Sequence, residues 1–113
     1  MHYVARLGEG GAPTPPNYET HSRGYTRTAC VDQAMGSAHM GAAISRLARG
    51  GVIRPHLHSF EESFYVLEGE LHTELRDGRT FRLLPGMSYQ VSDFGDAAHR
   101  SSTKTGAKLF IVD

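Results

Sequence analysis

Glycine- and proline-containing turns divide most of this sequence into short segments. The turn signals are the glycine of "EGE" and the pairs "DG", "PG" and "TG", at positions 69, 77–78, 85–86 and 105–106. Each is typical of a hairpin or tight turn. The segments between them are rich in β-branched, aromatic and aliphatic residues and recur about every 8–12 residues. This pattern predicts about nine short strands and no helix, in an all-β fold that is a sandwich or a small antiparallel barrel.

The first part of the chain has a different composition. Residues 8–24, "GEGGAPTPPNYETHSRG", contain three of the five prolines and almost no apolar residue that could be buried. Such a segment favours an extended arm. A chain of 113 residues has room for one domain. We therefore expect an N-terminal arm over residues 1–24 and a single β-barrel domain over residues 25–113.

The charge balance bears on the kind of partner. Twelve basic residues match twelve acidic ones, and no basic run is present, so nucleic acid and anionic membranes are not expected partners. A small molecule is the expected partner. Cys30 has no second cysteine to pair with, the first residues lack the apolar segment of a secretory signal, and no apolar run approaches the ~20 residues that span a bilayer. These features predict a soluble, cytoplasmic protein.

The segment "RPHLHSFEESFYVLEGE", residues 54–70, concentrates groups that bind metals. On an extended strand His56 and His58 share a face, about 6–7 Å apart. Glu62 has the parity of Phe64 and Val66 and is expected to face the interior, where an ionised carboxylate costs several kcal/mol unless it is paired or metal-bound. By itself the segment fits an exposed strand that pairs its own charges as well as it fits a metal site.

The spacing Gly50-x5-His56-x-His58-x3-Glu62-x6-Gly69 resembles the first signature of the cupin superfamily. Cupins fold as small, jelly-roll-like β-barrels in which these two histidines and the glutamate hold a divalent metal. The resemblance therefore implies a barrel with a metal centre. It implies a reaction only weakly, because this fold hosts many chemistries.

The resemblance extends beyond the first signature. The second cupin motif contributes one more histidine, and His99 matches that role, although Ser92 replaces the usual proline, His99 comes two residues late and the final asparagine is absent. "GSAHMG", residues 36–41, followed by the first signature is similar to two-domain cupins related to ureidoglycine aminohydrolases. The tail from residue 77 resembles small single-domain cupins. The implied metal ligands are His56, His58, Glu62 and His99.

The implied donor set is three imidazoles and one carboxylate, which suits Mn, Fe, Ni, Co, Zn or Cu and leaves positions open for water or substrate. His39 and Tyr89 are candidate catalytic residues. His39 could exchange protons with substrate or be structural, and Tyr89 could line the cavity or pack in the core. Arg46 and Gln33 could orient an anionic substrate or face solvent.

Three functions are consistent with these residues. The first is a metal-dependent enzyme acting on a small polar organic molecule, with the metal as a Lewis acid or as an activator of water or oxygen. The second is a non-catalytic, metallated ligand-binding or sensor protein, and the third has a structural metal. We also expect a homodimer, in which Tyr3, Val4 and Leu7 of the arm contact the neighbouring subunit. The alternative for the arm is a frayed terminus on a monomer.

Overall fold

The computed structural model describes residue 4 and residues 22–56, 62–91 and 99–113, with the backbone alone at Pro55, His56 and Val91. Apart from Val4, the predicted arm up to residue 21 lies outside the described residues, and so do His58, Tyr3 and Leu7. None of the described residues belongs to a helix that is long and apolar enough to cross a membrane.

The described residues form eight strands and one short 3-10 helix, Gln33–Met35. The strands are β1 Ser22–Val31, β2 Ala42–His56, β3 Glu62–Gly69, β4 Leu71–Leu75, β5 Thr80–Leu83, β6 Ser88–Val91, β7 His99–Ser102 and β8 Ala107–Val112. The predicted turns at positions 69, 78, 86 and 106 each contain a glycine with positive φ. The all-β prediction is therefore confirmed, and the predicted turns separate the strands.

The strands pair antiparallel in the order β5-β4-β7-β2-β8-β3-β6, with β1 beside β2. They form a nearly closed barrel, as the sequence predicted. The strand β2 belongs to both halves of this barrel, because residues 42–47 pair with β8 and residues 52–56 pair with β7. The spacing of apolar residues in the sequence predicts two strands here, one at about residues 39–47 and one from Ile53 onward, whereas the structure has a single strand over Ala42–His56. The backbone hydrogen bonds Gly50 N to Thr103 O and Thr103 N to Gly51 O continue the pairing through the two glycines.

The barrel core follows the alternation of each strand. On β3, Phe64 and Val66 are buried, whereas Tyr65 and Leu67 are exposed on the outer surface. The same alternation on the other strands places a further set of buried apolar residues in one cluster: Tyr25, Leu47, Leu71, Leu83, Ala107, Leu109 and Ile111. Full burial of a Leu, Ile or Val side chain contributes roughly 1.5–3 kcal/mol. This cluster therefore holds the barrel together around its inner face.

The first strand begins at Ser22, three residues before the boundary expected between the arm and the barrel domain. Gly24 adopts a φ of 73°, and the register with β2 shifts between Arg23 and Tyr25. The chain therefore pairs on both sides of an irregularity at Gly24. A glycine at this position permits the positive φ that interrupts the ladder without ending the strand.

Candidate functional site

Two of the histidines implied as metal ligands lie on neighbouring strands. His99 begins β7 and is 3% exposed. Its Cα partner on β2 is His56. Residues directly opposite on antiparallel strands have Cβ atoms about 4.5–5.5 Å apart. The fold therefore brings two positions that are 43 residues apart in sequence (99 minus 56) to adjacent places.

A bulge sets this pairing. Val52 and Ile53 pair with Ser102 and Ser101, and the register then shifts by one residue before His56 pairs with His99. Pro55 lies within the shifted part, where the absence of an amide hydrogen is tolerated because the ladder is already interrupted. The extra residue in β2 is what brings His56 opposite His99.

Glu62 begins β3 and is half-buried, on the same face as Phe64 and Val66. It is close enough to Tyr25 that its charge raises the pKa of that phenol. Glu62 and His99 therefore both belong to the inner face of the barrel, the face that contains the core. A carboxylate and an imidazole presented to one interior are donors of the kind that a divalent transition metal binds.

The fourth implied ligand, His58, lies outside the described residues. Within the ranges that the structure describes, no group of three or more histidine, cysteine, aspartate or glutamate side chains is close enough to hold a metal. Metal ligation by His56, His58, Glu62 and His99 thus stays a prediction.

A buried polar pair on the inner face was not found from the sequence. The Tyr25 hydroxyl lies 2.8 Å from Ser45 Oγ, and Ser45 has no exposed surface. Burial raises the pKa of Tyr25, while the Ser45 hydrogen bond and the Arg27 guanidinium lower it. The net shift is upward, so the phenol is held protonated.

Arg27 follows Tyr25 on the same face of β1 and makes an ion pair with Asp113. Its Nη2 donates to both carboxylate oxygens, at 3.3 and 3.4 Å. Both side chains are largely buried, with 17% and 15% exposed. The absence of a side chain at Gly41 makes room for this pair, because a Cβ there would lie 2.6 Å from Asp113 Oδ1. The ion pair therefore depends on contacts between residues far apart in the chain.

A cavity of about 440 Å³ opens beside this ion pair. Its lining includes Arg27, Gln33, Ser37, His39 and Asp113. His39 is exposed, in a turn that Ser37 closes by donating from its Oγ to Met40 O at 2.6 Å. His39 is thus available to a molecule in the cavity.

Tyr89, the other candidate catalytic residue, lies in an aromatic group. Its ring centroid is 5.2 Å from that of Phe64, its partner on β3, and 5.8 Å from that of Phe81. The side chain packs against the core from a half-buried position, and burial raises its pKa. The structure does not bring Tyr89 into a described polar contact with His39.

Comparison with known proteins identifies the family. A family profile described as "Cupin domain" (Cupin_2) matches residues 43–112, which is well over half of the chain. The chain is a cupin. The matched range contains the first signature and His99, and it begins at the second residue of β2. No curated protein matches the sequence of this cupin.

Solved structures of other proteins share this fold. The polyketide cyclase RemF from Streptomyces resistomycificus superimposes with a TM-score of 0.78 at 22% identity, over 97% of this cupin and 78% of RemF. An RmlC-like cupin from Shewanella frigidimarina gives 0.70 at 23% identity, over 98% and 89% of the two chains. Ectoine synthase from P. lautus gives 0.67 at 19% identity, over 78% and 62%. At these identities the likeness shows the fold and leaves the reaction open.

Proposed function

We propose that this cupin is a metal-dependent enzyme that acts on a small polar organic molecule. The observation that carries the proposal is the backbone pairing of His56 with His99, whose buried side chain shares the inner face with Glu62. With His58, these residues would bind one divalent transition metal. The resemblance of residues 36–70 to two-domain cupins related to ureidoglycine aminohydrolases supports a small polar substrate.

The donor set fits catalysis better than a structural role. Structural zinc sites are usually closed by four ligands that include thiolates, whereas this set contains none and leaves room for further ligands. When bound, the metal would act as a Lewis acid or activate water or oxygen. The protein side chains would bind and orient the substrate and exchange protons with it.

The cavity beside the ion pair provides groups for a polar substrate. Arg27 and Asp113 neutralise each other and together offer donors and acceptors, and the Asp32 carboxylate adds a further acceptor to the lining. His39 lines the same cavity and is exposed, which suits a group that exchanges protons with a bound molecule.

The alternative function is a metallated ligand-binding or sensor protein without turnover. The same cavity and donor set would serve it equally well, and similar folds occur in proteins named as enzymes and in proteins named only for the fold. The two functions differ in one outcome, because an enzyme consumes its ligand and a sensor releases it unchanged.

Metal content tests the proposal first. The purified protein is analysed by plasma mass spectrometry, together with the double variant His56→Ala/His58→Ala and the control His72→Ala. His72 suits a control because its side chain is 40% exposed and pairs with Glu70. We expect about one equivalent of metal in the wild type and the control and a large loss in the double variant. A full equivalent in the double variant would contradict the ligand assignment.

Activity is then screened with the identified metal restored, on small polar amides, acids and keto compounds. Metal-dependent turnover that falls in His39→Gln without a loss of metal would support the enzyme. Saturable binding of a compound that is recovered unchanged would favour the sensor.

A further inference from the structure

A second cluster of charged residues lies on the outer surface of the barrel. Arg46 and Lys108 are direct Cα partners across β2 and β8. They alternate with Ser45, Leu47 and Leu109, which are buried on the inner face. Arg46 therefore lies on the outer surface, on the face opposite to the predicted metal centre. Like charges directly opposite in a sheet repel each other.

The positive charge of this pair is only partly compensated. Lys108 Nζ lies 3.8 Å from Glu68 Oε1, a long contact to a side chain that is 73% exposed. Such a pair contributes little in water. Arg46 Nη1 is buried, yet among the residues that the structure describes no hydrogen-bond acceptor reaches it. A buried guanidinium donor without an acceptor destabilises the protein, so an anion that supplied an acceptor to Arg46 would bind favourably.

A pocket is present at the same place. It has a volume of about 440 Å³, and Arg46, Glu68 and Lys108 contribute its charged lining. The rest of the lining comes from small or hydroxyl residues, Gly24, Thr26, Ala48, Gly69, Thr105, Gly106 and Ala107, with Leu47. Two cations and one carboxylate leave one positive charge in excess. The cavity beside Arg27 differs, since its lining has one arginine and two carboxylates, Asp32 and Asp113.

We propose that this outer pocket binds the carboxylate group of a small organic acid. A planar guanidinium suits a carboxylate because two parallel N–H donors match its two oxygens, and the Lys108 ammonium adds a second charge. Binding orients the Arg46 donors onto the carboxylate, and the negative charge of the carboxylate reduces the repulsion between Arg46 and Lys108. The apolar part of the acid lies against the small residues of the lining. The site is separate from the predicted metal centre, because it uses the opposite face of β2 and β8.

Thermal unfolding with propionate as the probe tests the site. A ligand that binds only the folded protein raises its melting temperature in a saturable way. The melting temperature is measured in sodium propionate and in sodium chloride at equal ionic strength, after metal removal with a chelator. We expect propionate to raise the melting temperature of the wild type relative to chloride. In Arg46→Gln the half-saturating concentration should rise about tenfold or more, because a charge-assisted hydrogen bond is lost.

Arg49→Gln is the matched control, since Arg49 is exposed on the same strand and does not line the pocket. It should respond to propionate as the wild type does. Lys108→Gln should weaken the response too, and it replaces Arg46→Gln if that variant does not fold. In chloride, Arg46→Gln should melt no lower than the wild type, because it removes the cation opposite Lys108.

Three results would overturn the proposal. The first is no propionate response in the wild type. The second is an equal response in Arg46→Gln and the wild type, which would indicate a general salt effect. The third is a melting temperature that depends on protein concentration and not on propionate, because the acceptor for Arg46 would then come from a second copy of the chain.

Discussion

His56 on β2 and His99 on β7 are opposite each other because a one-residue bulge separates Ile53 from His56. In a continuous ladder Pro55, not His56, would be the partner of His99, since Ile53 pairs with Ser101. A register shift of one residue moves every following side chain to the opposite face of the strand. The relative placement of the two histidines therefore depends on an irregularity, and the predicted metal centre depends on it as well.

Metal affinity should decrease in acid. Imidazole binds a metal only in its neutral form, so protons compete with the ion for the three predicted histidine ligands. The expected result is a loss of affinity as the pH falls through ~6.5, the usual pKa of a histidine side chain. Competition titration with a metal-binding dye at several pH values measures it. Unchanged affinity down to about pH 5 would count against histidine ligands.

Tyr25→Phe should destabilise the barrel at neutral pH. The substitution removes the hydroxyl that bonds Ser45 Oγ in the interior, and a buried polar group left with one partner fewer costs about 1–2 kcal/mol. Urea denaturation monitored by circular dichroism measures the change. Tyr65→Phe is the control, because Tyr65 is 42% exposed on the outer surface, and it should change the free energy of unfolding little.

The same tyrosine predicts a pH dependence. Burial raises the pKa of Tyr25 above its usual 10.0, so the folded state holds the phenolic proton more tightly than the unfolded chain. This contribution to stability is complete below pH 10.0 and is lost as the pH rises through the raised pKa. The free energy of unfolding should therefore fall above that pH, and less steeply in Tyr25→Phe. Parallel curves for the two proteins would contradict the role of Tyr25.

Gly69→Ala should be far more disruptive than Gly78→Ala. Both glycines have positive φ, 79° and 89°, so an alanine is strained at either position, by about 1 kcal/mol. At Gly69 the added Cβ would also collide with the Gly106 carbonyl, whereas nothing lies within 4 Å at Gly78. The difference between the two melting temperatures isolates the steric effect. Equal losses would show that the close approach of Gly69 to Gly106 is unimportant.

Asp113→Asn should destabilise the protein more than Asp77→Asn. The Arg27–Asp113 pair is longer, at 3.3 Å against 2.7 Å for Arg79–Asp77, but its side chains are 17% and 15% exposed and those of the other pair 65% and 52%. Water screens an exposed ion pair, so losing one partner costs little. A largely buried arginine that loses its carboxylate partner is poorly solvated, so the cost is larger. Denaturant unfolding of both variants shows whether burial or the N–O distance determines how much an ion pair contributes to the free energy of unfolding. A larger effect at Asp77 would favour distance.

The predicted homodimer is tested by truncation. Val4, described in the structure and fully exposed, is one of the three residues expected to contact the neighbouring subunit. Light scattering compares the full chain with a variant that lacks residues 1–20. We expect the full chain to be dimeric and the truncated chain to have a reduced mass. Two monomers at tens of micromolar would contradict a dimer formed by the arm.

The sequence by itself determined the strand and turn pattern of this protein. The glycines at positions 69, 78, 86 and 106 mark the turns, because positive φ at a tight turn is a local requirement that glycine meets. The alternation of Phe64 and Val66 with Tyr65 and Leu67 separates the two faces of β3, and Glu62 follows the same period. Each of these properties depends on neighbours within a few residues.

Only the tertiary structure decided which side chains meet. Arg27 and Asp113 are 86 residues apart, and Tyr25 and Ser45 are 20 apart. Their contacts depend on the order of the strands and on bulges, and a shift of one residue anywhere along β1 or β2 would separate them. The unbroken course of β2 through Gly50 and Gly51 was missed for the same reason, because its hydrogen bonds are made with Thr103 on a distant turn. The alternation of side chains between the two faces of a strand is set by the local sequence, whereas the register between strands depends on the whole barrel.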